Sequence, residues 1–112
     1  MSYRTEIEST PWPFRAAPGG LVERYDRRSG HWVPCPGTLD AAGYPMVSWK
    51  PQGGPRRFLR LHQVVWMTYK GAVPDGLEID HIDGDKANCA IGNLRVLTPR
   101  ENIKAARERV GN

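Results

Sequence analysis

Cysteine is scarce in this chain, with two in 112 residues, Cys35 and Cys89. That number excludes a disulfide framework and a four-thiolate zinc site; one disulfide is allowed by count but required by nothing, so both thiols are read as reduced. Long apolar runs are also lacking. No stretch approaches the roughly 18 to 20 residues of a membrane span, and the N-terminal MSYRTEIEST has no apolar centre of the kind a secretory signal carries. The expectation is a soluble, intracellular protein. No internal repeat or low-complexity tract is visible. The length suits one domain with a modest core and excludes a large two-layer enzyme with a deep pocket.

Acidic residues are missing from one region in particular. Lys and Arg total 16 against 12 Asp and Glu, a formal net charge of +4, which favours a polyanionic partner. From Lys50 to Lys70 there are five basic residues, Lys50, Arg56, Arg57, Arg60 and Lys70, and no acidic one. Most of the acid lies in 1–40 and 75–85, so the basic charge is local.

What is present reads as α+β. Residues 1–20 carry Pro11, Pro13, Pro18, Gly19 and Gly20, a composition that suits an extended arm, with Trp12 and Phe14 placed to pin it to the body. The runs LVERYD (21–26), HWVPC (31–35), YPMVSW (44–49) and RFLRLH (57–62) are separated by turn-like DRRSG, DAAG and KPQGGP, which predicts a small antiparallel meander over 21–60. Pro34 and Pro45 belong at strand edges or ends, since proline cannot donate to a ladder. LHQVVWMTYKG predicts a helix over 61–70 ended by Gly71. A short strand at 77–79, turn chemistry at 83–87 and a strand at 94–97 follow. Thr98-Pro99-Arg100-Glu101 then reads as a helix start: threonine at the N-cap, proline at the first helical position, and glutamate placed to close a capping box. This helix should run to about Arg109.

The polar residues of LEIDHIDGDKANCAIGNLRVLTPREN, 77–102, fall at the seams between these elements. Asp80 and His81 end the first strand, Asn93 opens the second, and Asn102 sits one turn into the helix. A short antiparallel pair with a helix across it can bring four such ends together. An aspartate and an asparagine supply hard oxygens that suit Mg²⁺ or Mn²⁺, shared with water and phosphate. A histidine beside them, with an ordinary pKa of about 6.5, can take a proton from water near neutrality. Its tautomer needs fixing, and the side-chain or main-chain carbonyl of Asn93 is a candidate acceptor for one ring nitrogen.

Asn93 stands twelve residues after His81, and Asn102 nine after that. With LHQVVWMTYKG and IDHIDGDKANCAIGNLRVLTPRENIKAA, this spacing resembles the phage-type HNH endonucleases of the ββα-metal superfamily, in the variant whose last motif position is asparagine. The resemblance covers about 50 residues, Arg57 to Ala106. It implies a single nuclease domain over 21–112 whose ββα-metal motif occupies 77–109. By that resemblance Asp80 and Asn102 hold one divalent metal ion, Mg²⁺ or Mn²⁺, His81 activates the attacking water, and Asn93 orients His81. The metal then bridges the scissile phosphate and its 3′ leaving oxygen, giving 5′-phosphate and 3′-hydroxyl ends. The implied partner is double-stranded DNA, met in the cytoplasm of a bacterial or phage-infected cell, and one site per chain implies nicking. Two positions depart from the pattern: Cys89 stands where relatives commonly carry a second asparagine, and Asn102 replaces the histidine of many other members.

Other readings of the same residues compete with these. Asp83, Gly84 and Asp85 suggest a calcium loop, but counting from Asp80 the twelfth position is Ile91 where a bidentate glutamate belongs, so they are read with Asn88 as loop builders. His31, Cys35 and Cys89 lack zinc spacing. His62 is read as a structural hydrogen-bonding group. The four tryptophans, Trp12, Trp32, Trp49 and Trp66, are read as core or cover. Arg56, Arg57, Arg60, Arg95, Arg100 and Lys104 are the candidate phosphate contacts, with Arg107 beside Lys104 on a helix face. The chain stops shortly after the last expected helix, at Asn112, from which low or short sequence specificity is expected. The alternative function is a non-catalytic DNA-binding module or regulator that keeps the fold.

Overall fold

A computed structural model describes residues 13–50 and 53–111, with side chains to 109. Trp12 and the first part of the expected arm lie outside the described residues. Strands β1 (Phe14–Ala16), β2 (Val22–Asp26) and β3 (His31–Pro34) form one antiparallel sheet in that order. Strands β4 (Thr38–Leu39), β5 (Pro45–Trp49) and β6 (Arg57–Arg60) form a second.

The expected single meander is therefore two sheets. The break falls at Pro34-Cys35-Pro36-Gly37, where two prolines have no N–H to continue the ladder. Pro34 ends β3 and Pro45 begins β5. Residues 14–16, expected in an extended arm, pair with β2 through Phe14↔Arg24 and Ala16↔Val22. Phe14 and Ala16 point into the core at 0% and 2% exposure while Arg15 turns outward to bond Glu23 at 2.7 Å. Two apolar side chains around one arginine are too short a pattern to stand out from a proline-rich segment.

Helix α1 (Leu61–Lys70) follows β6 directly and forms the centre of the molecule. Leu61, Val64, Val65 and Thr68 repeat at helical spacing and are buried, with His62 and Trp66 beside them. Gln63 closes its first turn by accepting the Arg60 N–H at 2.8 Å. It ends where Gly71 takes a φ of +81°, donating its N–H to the Met67 carbonyl. The core joins Phe14, Val22, Val47, the α1 residues, Cys89 and Leu94 in one cluster, with Trp32 and Trp49 packed partly buried against it.

Strands β7 (Glu78–His81) and β8 (Leu94–Leu97) pair antiparallel with Asp80↔Arg95 and His81↔Leu94 opposite one another. A 3-10 turn over Ile91–Asn93 leads into β8, and helix α2 (Pro99–Gly111) packs against both strands. The start of α2 is the expected capping box: Glu101 N–H donates to Thr98 Oγ1 at 3.1 Å and Thr98 N–H to Glu101 Oε1 at 2.9 Å. Among the described residues no helix is long and apolar enough to cross a membrane.

Candidate active site

Strand alternation puts Asp80 and His81 on opposite faces of β7. Both are buried, at 7% and 5% exposure. An isolated buried carboxylate is costly, and this one is compensated: Arg95 Nε donates to Asp80 Oδ2 at 2.9 Å, and Arg109 Nη2 lies 3.8 Å from the same oxygen. Arg109 also donates to the carbonyls of His81 at 3.2 Å and Ile82 at 3.4 Å, fastening α2 to the end of β7. Its side chain passes over Gly84, where an added Cβ would come within 2.5 Å of Arg109 Cδ. With φ at +78°, Gly84 meets a backbone requirement, and a side chain there would also displace Arg109.

On the other face, His81 enters a wall of rings. Its imidazole lies 4.8 Å from that of His62 at 85°, and Tyr44 covers both, 5.5 Å from His62 and 6.0 Å from His81. Nε2 of His81 faces Cys89 Sγ at 4.0 Å. Burial is the main cause of a lowered His81 pKa; Asp80, Asp83 and Asp85 pull it up, and Arg109 adds to the lowering. The ring is therefore neutral at pH 7. Burial likewise drives His62 down to about 4 and pushes the Cys89 thiol up to about 11.

The loop after β7 is polar and self-satisfied. Asp83 accepts from Asp85 N–H at 2.8 Å, Asn88 Nδ2 at 2.9 Å and Asn93 Nδ2 at 3.0 Å. These bonds, that from Asn88 first, hold its carboxyl down at about 2. Asp83, Asp85 and Asn88 thus act as loop builders, as their spacing suggested. Asn93 belongs to the same network: its amide also donates to the Asn88 carbonyl at 2.9 Å, and its own carbonyl accepts the Ile82 N–H at 2.8 Å. Its side chain serves the loop beside His81.

Asn102 reaches back from the first turn of α2, donating Nδ2 to Glu78 Oε1 at 2.9 Å. Glu78 and Asp80 share a face of β7 by alternation, so the Asn102 amide lies over the face that carries Asp80. Among the described residues no group of three or more His, Cys, Asp or Glu side chains is placed to hold a metal ion. The donor chemistry of Asp80, Asn102 and Glu78 is hard oxygen throughout, which suits Mg²⁺ or Mn²⁺ better than zinc.

The candidate phosphate contacts divide. Arg100 and Lys104 are exposed on α2, and Arg57 is exposed on β6. Arg56 donates to Ser48 Oγ at 3.2 Å. Arg60 and Arg95 are paired within the fold while their side chains stay 40% and 42% exposed, Arg60 to Asp40 at 2.8 Å and to the Tyr44 ring at 4.1 Å, Arg95 to Asp80. Tyr44, Glu78, Lys86 and Arg109 were not among the sequence candidates. For Tyr44 and Lys86 the signal is tertiary, since they meet across 42 positions; for Glu78 the alternation Glu78, Asp80 was available.

Comparison with known proteins finds similarity to HNH endonucleases. The HNH endonuclease family model matches residues 59–104. YosQ, an SPbeta prophage protein of Bacillus subtilis (strain 168) that bears an HNH homing endonuclease name, is 29% identical over 100 residues, which is 88% of this chain and 54% of YosQ. Protein 3.8 of Escherichia phage T7 is 49% identical over 43 residues, 38% of this chain and 36% of that protein. Among solved structures, the HNH homing endonuclease I-HmuI, described in terms of DNA binding and cleavage, superposes with a TM-score of 0.67 at 26% identity over 88% of this chain and 53% of that one. The chain thus spans at most about half of the length of these relatives.

Proposed function

We propose that this chain, which belongs to the HNH endonuclease family through residues 59–104, hydrolyses phosphodiester bonds in double-stranded DNA, nicking one strand per active site. The observation that carries this reading is His81: a buried, neutral imidazole at the end of an antiparallel pair crossed by a helix, beside a compensated carboxylate.

Asp80 and Asn102 would hold one divalent ion, Mg²⁺ or Mn²⁺, which would supply Lewis-acid stabilisation of the negative charge that develops during hydrolysis. His81 takes the proton of the attacking water. Nε2 faces the Cys89 thiol, leaving Nδ1 for that proton. The water oxygen forms a bond to phosphorus as the bond to the 3′ oxygen breaks; the departing 3′ oxygen takes a proton from solvent to become a hydroxyl, the other end keeps the phosphate, and the His81 imidazolium returns its proton to solvent. Asn93 fixes the chain where it leaves β7, through its carbonyl on the Ile82 N–H. Exposed Arg57, Arg100 and Lys104 contact backbone phosphates, so specificity is low and affinity depends strongly on salt.

One observation favours a second reading, a DNA-binding module that does not cut. The Asp80 carboxylate is already engaged by Arg95 and lies near Arg109. Supercoiled plasmid incubated with Mg²⁺ or Mn²⁺ decides between them. Open circle that forms with the wild type and is lost in His81→Gln supports the nuclease. Retention of DNA binding without nicking, with either ion, overturns it in favour of the module.

A further inference from the structure

One ring nitrogen of His62 does not make the structural hydrogen bond that its place at a helix start suggests. That nitrogen, Nδ1, is buried and has no hydrogen-bond partner among the described residues. Buried ring nitrogens are normally paired, so an orphan calls for an explanation in what the ring touches. What it touches is the imidazole of His81, edge to face at 4.8 Å.

A general base must present one nitrogen along one direction, and a hydrogen bond to the other nitrogen is the usual means of fixing that direction. Here Asn93, the residue expected to supply such a bond, is spent on Asp83, Asn88 and Ile82. Around His81 there are instead two rings and, facing Nε2, only a long contact to Cys89 Sγ at 4.0 Å. The Tyr44 ring is itself held from several sides. The Tyr44 backbone N–H donates to Asp40 Oδ1 at 2.9 Å, the Arg60 guanidinium lies over the ring at 4.1 Å, and Lys86 Nζ approaches it at 4.7 Å. Asp40 also binds Arg60 at 2.8 Å, and Lys86 donates to the Ala42 carbonyl at 2.6 Å. The β4–β5 turn, the start of α1 and the loop after β7 are thereby locked around one imidazole.

We propose that His62 is a positioning residue for the hydrolytic reaction: its ring, roofed by Tyr44, sets the plane of the His81 imidazole. The inference rests on the nuclease reading above. Burial keeps His62 neutral down to about pH 4, so it places no charge against the imidazolium that forms at His81. Shape alone is required of it, which predicts that another aromatic ring can stand in.

The test uses the full chain in two measurements. Nicking of supercoiled plasmid at varied DNA concentration separates kcat from KM. Imidazole nitrogen NMR of His81, recorded without metal or DNA, reads its tautomer and ring order directly. His62→Leu, which removes the ring, is expected to lower kcat by about ten- to a hundredfold with KM nearly unchanged, the size of a misplaced catalytic group. The His81 signals should broaden or average. His62→Phe is expected to restore most of the kcat and the ordered His81 signals. Failure of Phe to do better than Leu, or a Leu variant with wild-type kcat and spectrum, overturns the proposal. If His62→Leu does not fold, Tyr44→Leu against Tyr44→Phe applies the same comparison from the roof. A wild type that does not nick sinks the nuclease reading alone; the spectra still decide whether His62 orders His81.

Discussion

Asp80 and His81 are neighbours on one strand, yet their side chains enter opposite environments. Asp80 faces guanidinium groups, with Arg95 at 2.9 Å and Arg109 at 3.8 Å. His81 faces rings and a protonated thiol, and burial there lowers its pKa. The pleat makes this inexpensive: one dipeptide at a strand end presents a carboxylate to one side and a neutral imidazole to the other. It also makes the arrangement fragile, because a slip of one residue in the β7–β8 register exchanges the two environments. The Asn93 carbonyl on Ile82 and the Arg109 bonds to the carbonyls of His81 and Ile82 sit where such a slip would begin.

The strongest way to break the comparison is to change each side separately. His81→Gln should reduce nicking by about 10²- to 10⁴-fold, the range for loss of a general base, while a Mn²⁺ titration stays as in the wild type. Asp80→Asn should weaken both the Mn²⁺ titration and turnover. If His81→Gln weakens Mn²⁺ as much as Asp80→Asn does, the two faces are not chemically separate. Glutamine is preferable to alanine here, because His81 is buried against His62, Tyr44 and Cys89 and truncation would open a void.

The neutral side should also be visible in stability. His62 has its pKa lowered from 6.5 to about 4, first by burial, then by His81 and Arg60, with Asp40 opposing. In the unfolded chain it binds a proton near pH 6.5, whereas in the folded protein it resists protonation until about pH 4. Stability is therefore full above about pH 6.5 and falls as the pH drops towards 4, by on the order of 3 kcal/mol. Urea unfolding at several pH values should show this slope, and His62→Phe should remove most of it. An unchanged slope in the variant assigns the effect to other groups.

A smaller effect is expected where the loop meets both faces. Asn93→Ala removes bonds to Asp83, Asn88 and the Asp83 N–H, and should cost about 1–2 kcal/mol of stability. It should leave the Mn²⁺ titration intact, since no ligand is removed. Weakened Mn²⁺ binding would show that the loop also shapes the carboxylate side.

Much of this was legible in the sequence because its signals were local. Thr98-Pro99-Arg100-Glu101 specifies its own helix start, and Leu61, Val64, Val65 and Thr68 specify the buried face of α1. The motif spacing led to the family and to the elements that carry Asp80, His81, Asn93 and Asn102. What stayed hidden was long-range. Nothing in the neighbourhood of Tyr44 says that it will cover His62 and His81, and nothing around Arg95 says that it faces Asp80 across a register. For Arg60 the basic cluster marked charge but not its partners, Asp40 and the Tyr44 ring, which lie 20 and 16 positions away in the sequence.

That distinction between committed and free arginine and lysine gives the mildest test. Lys104 lies on α2 with its side chain 77% exposed, 3.9 Å from Glu108 one turn on. An exposed pair of this kind contributes about 0.3–0.5 kcal/mol, so Lys104→Ala should leave the unfolding midpoint almost unchanged. If the side chain contacts a phosphate, the slope of log affinity against log salt should become shallower by about one, uniformly across DNA sequences. Arg95→Ala should behave differently: it uncovers a buried carboxylate, so stability falls as well. Equal behaviour of the two variants would mean that Arg95, too, is held for DNA, and the carboxylate side of β7 would lose its separate identity.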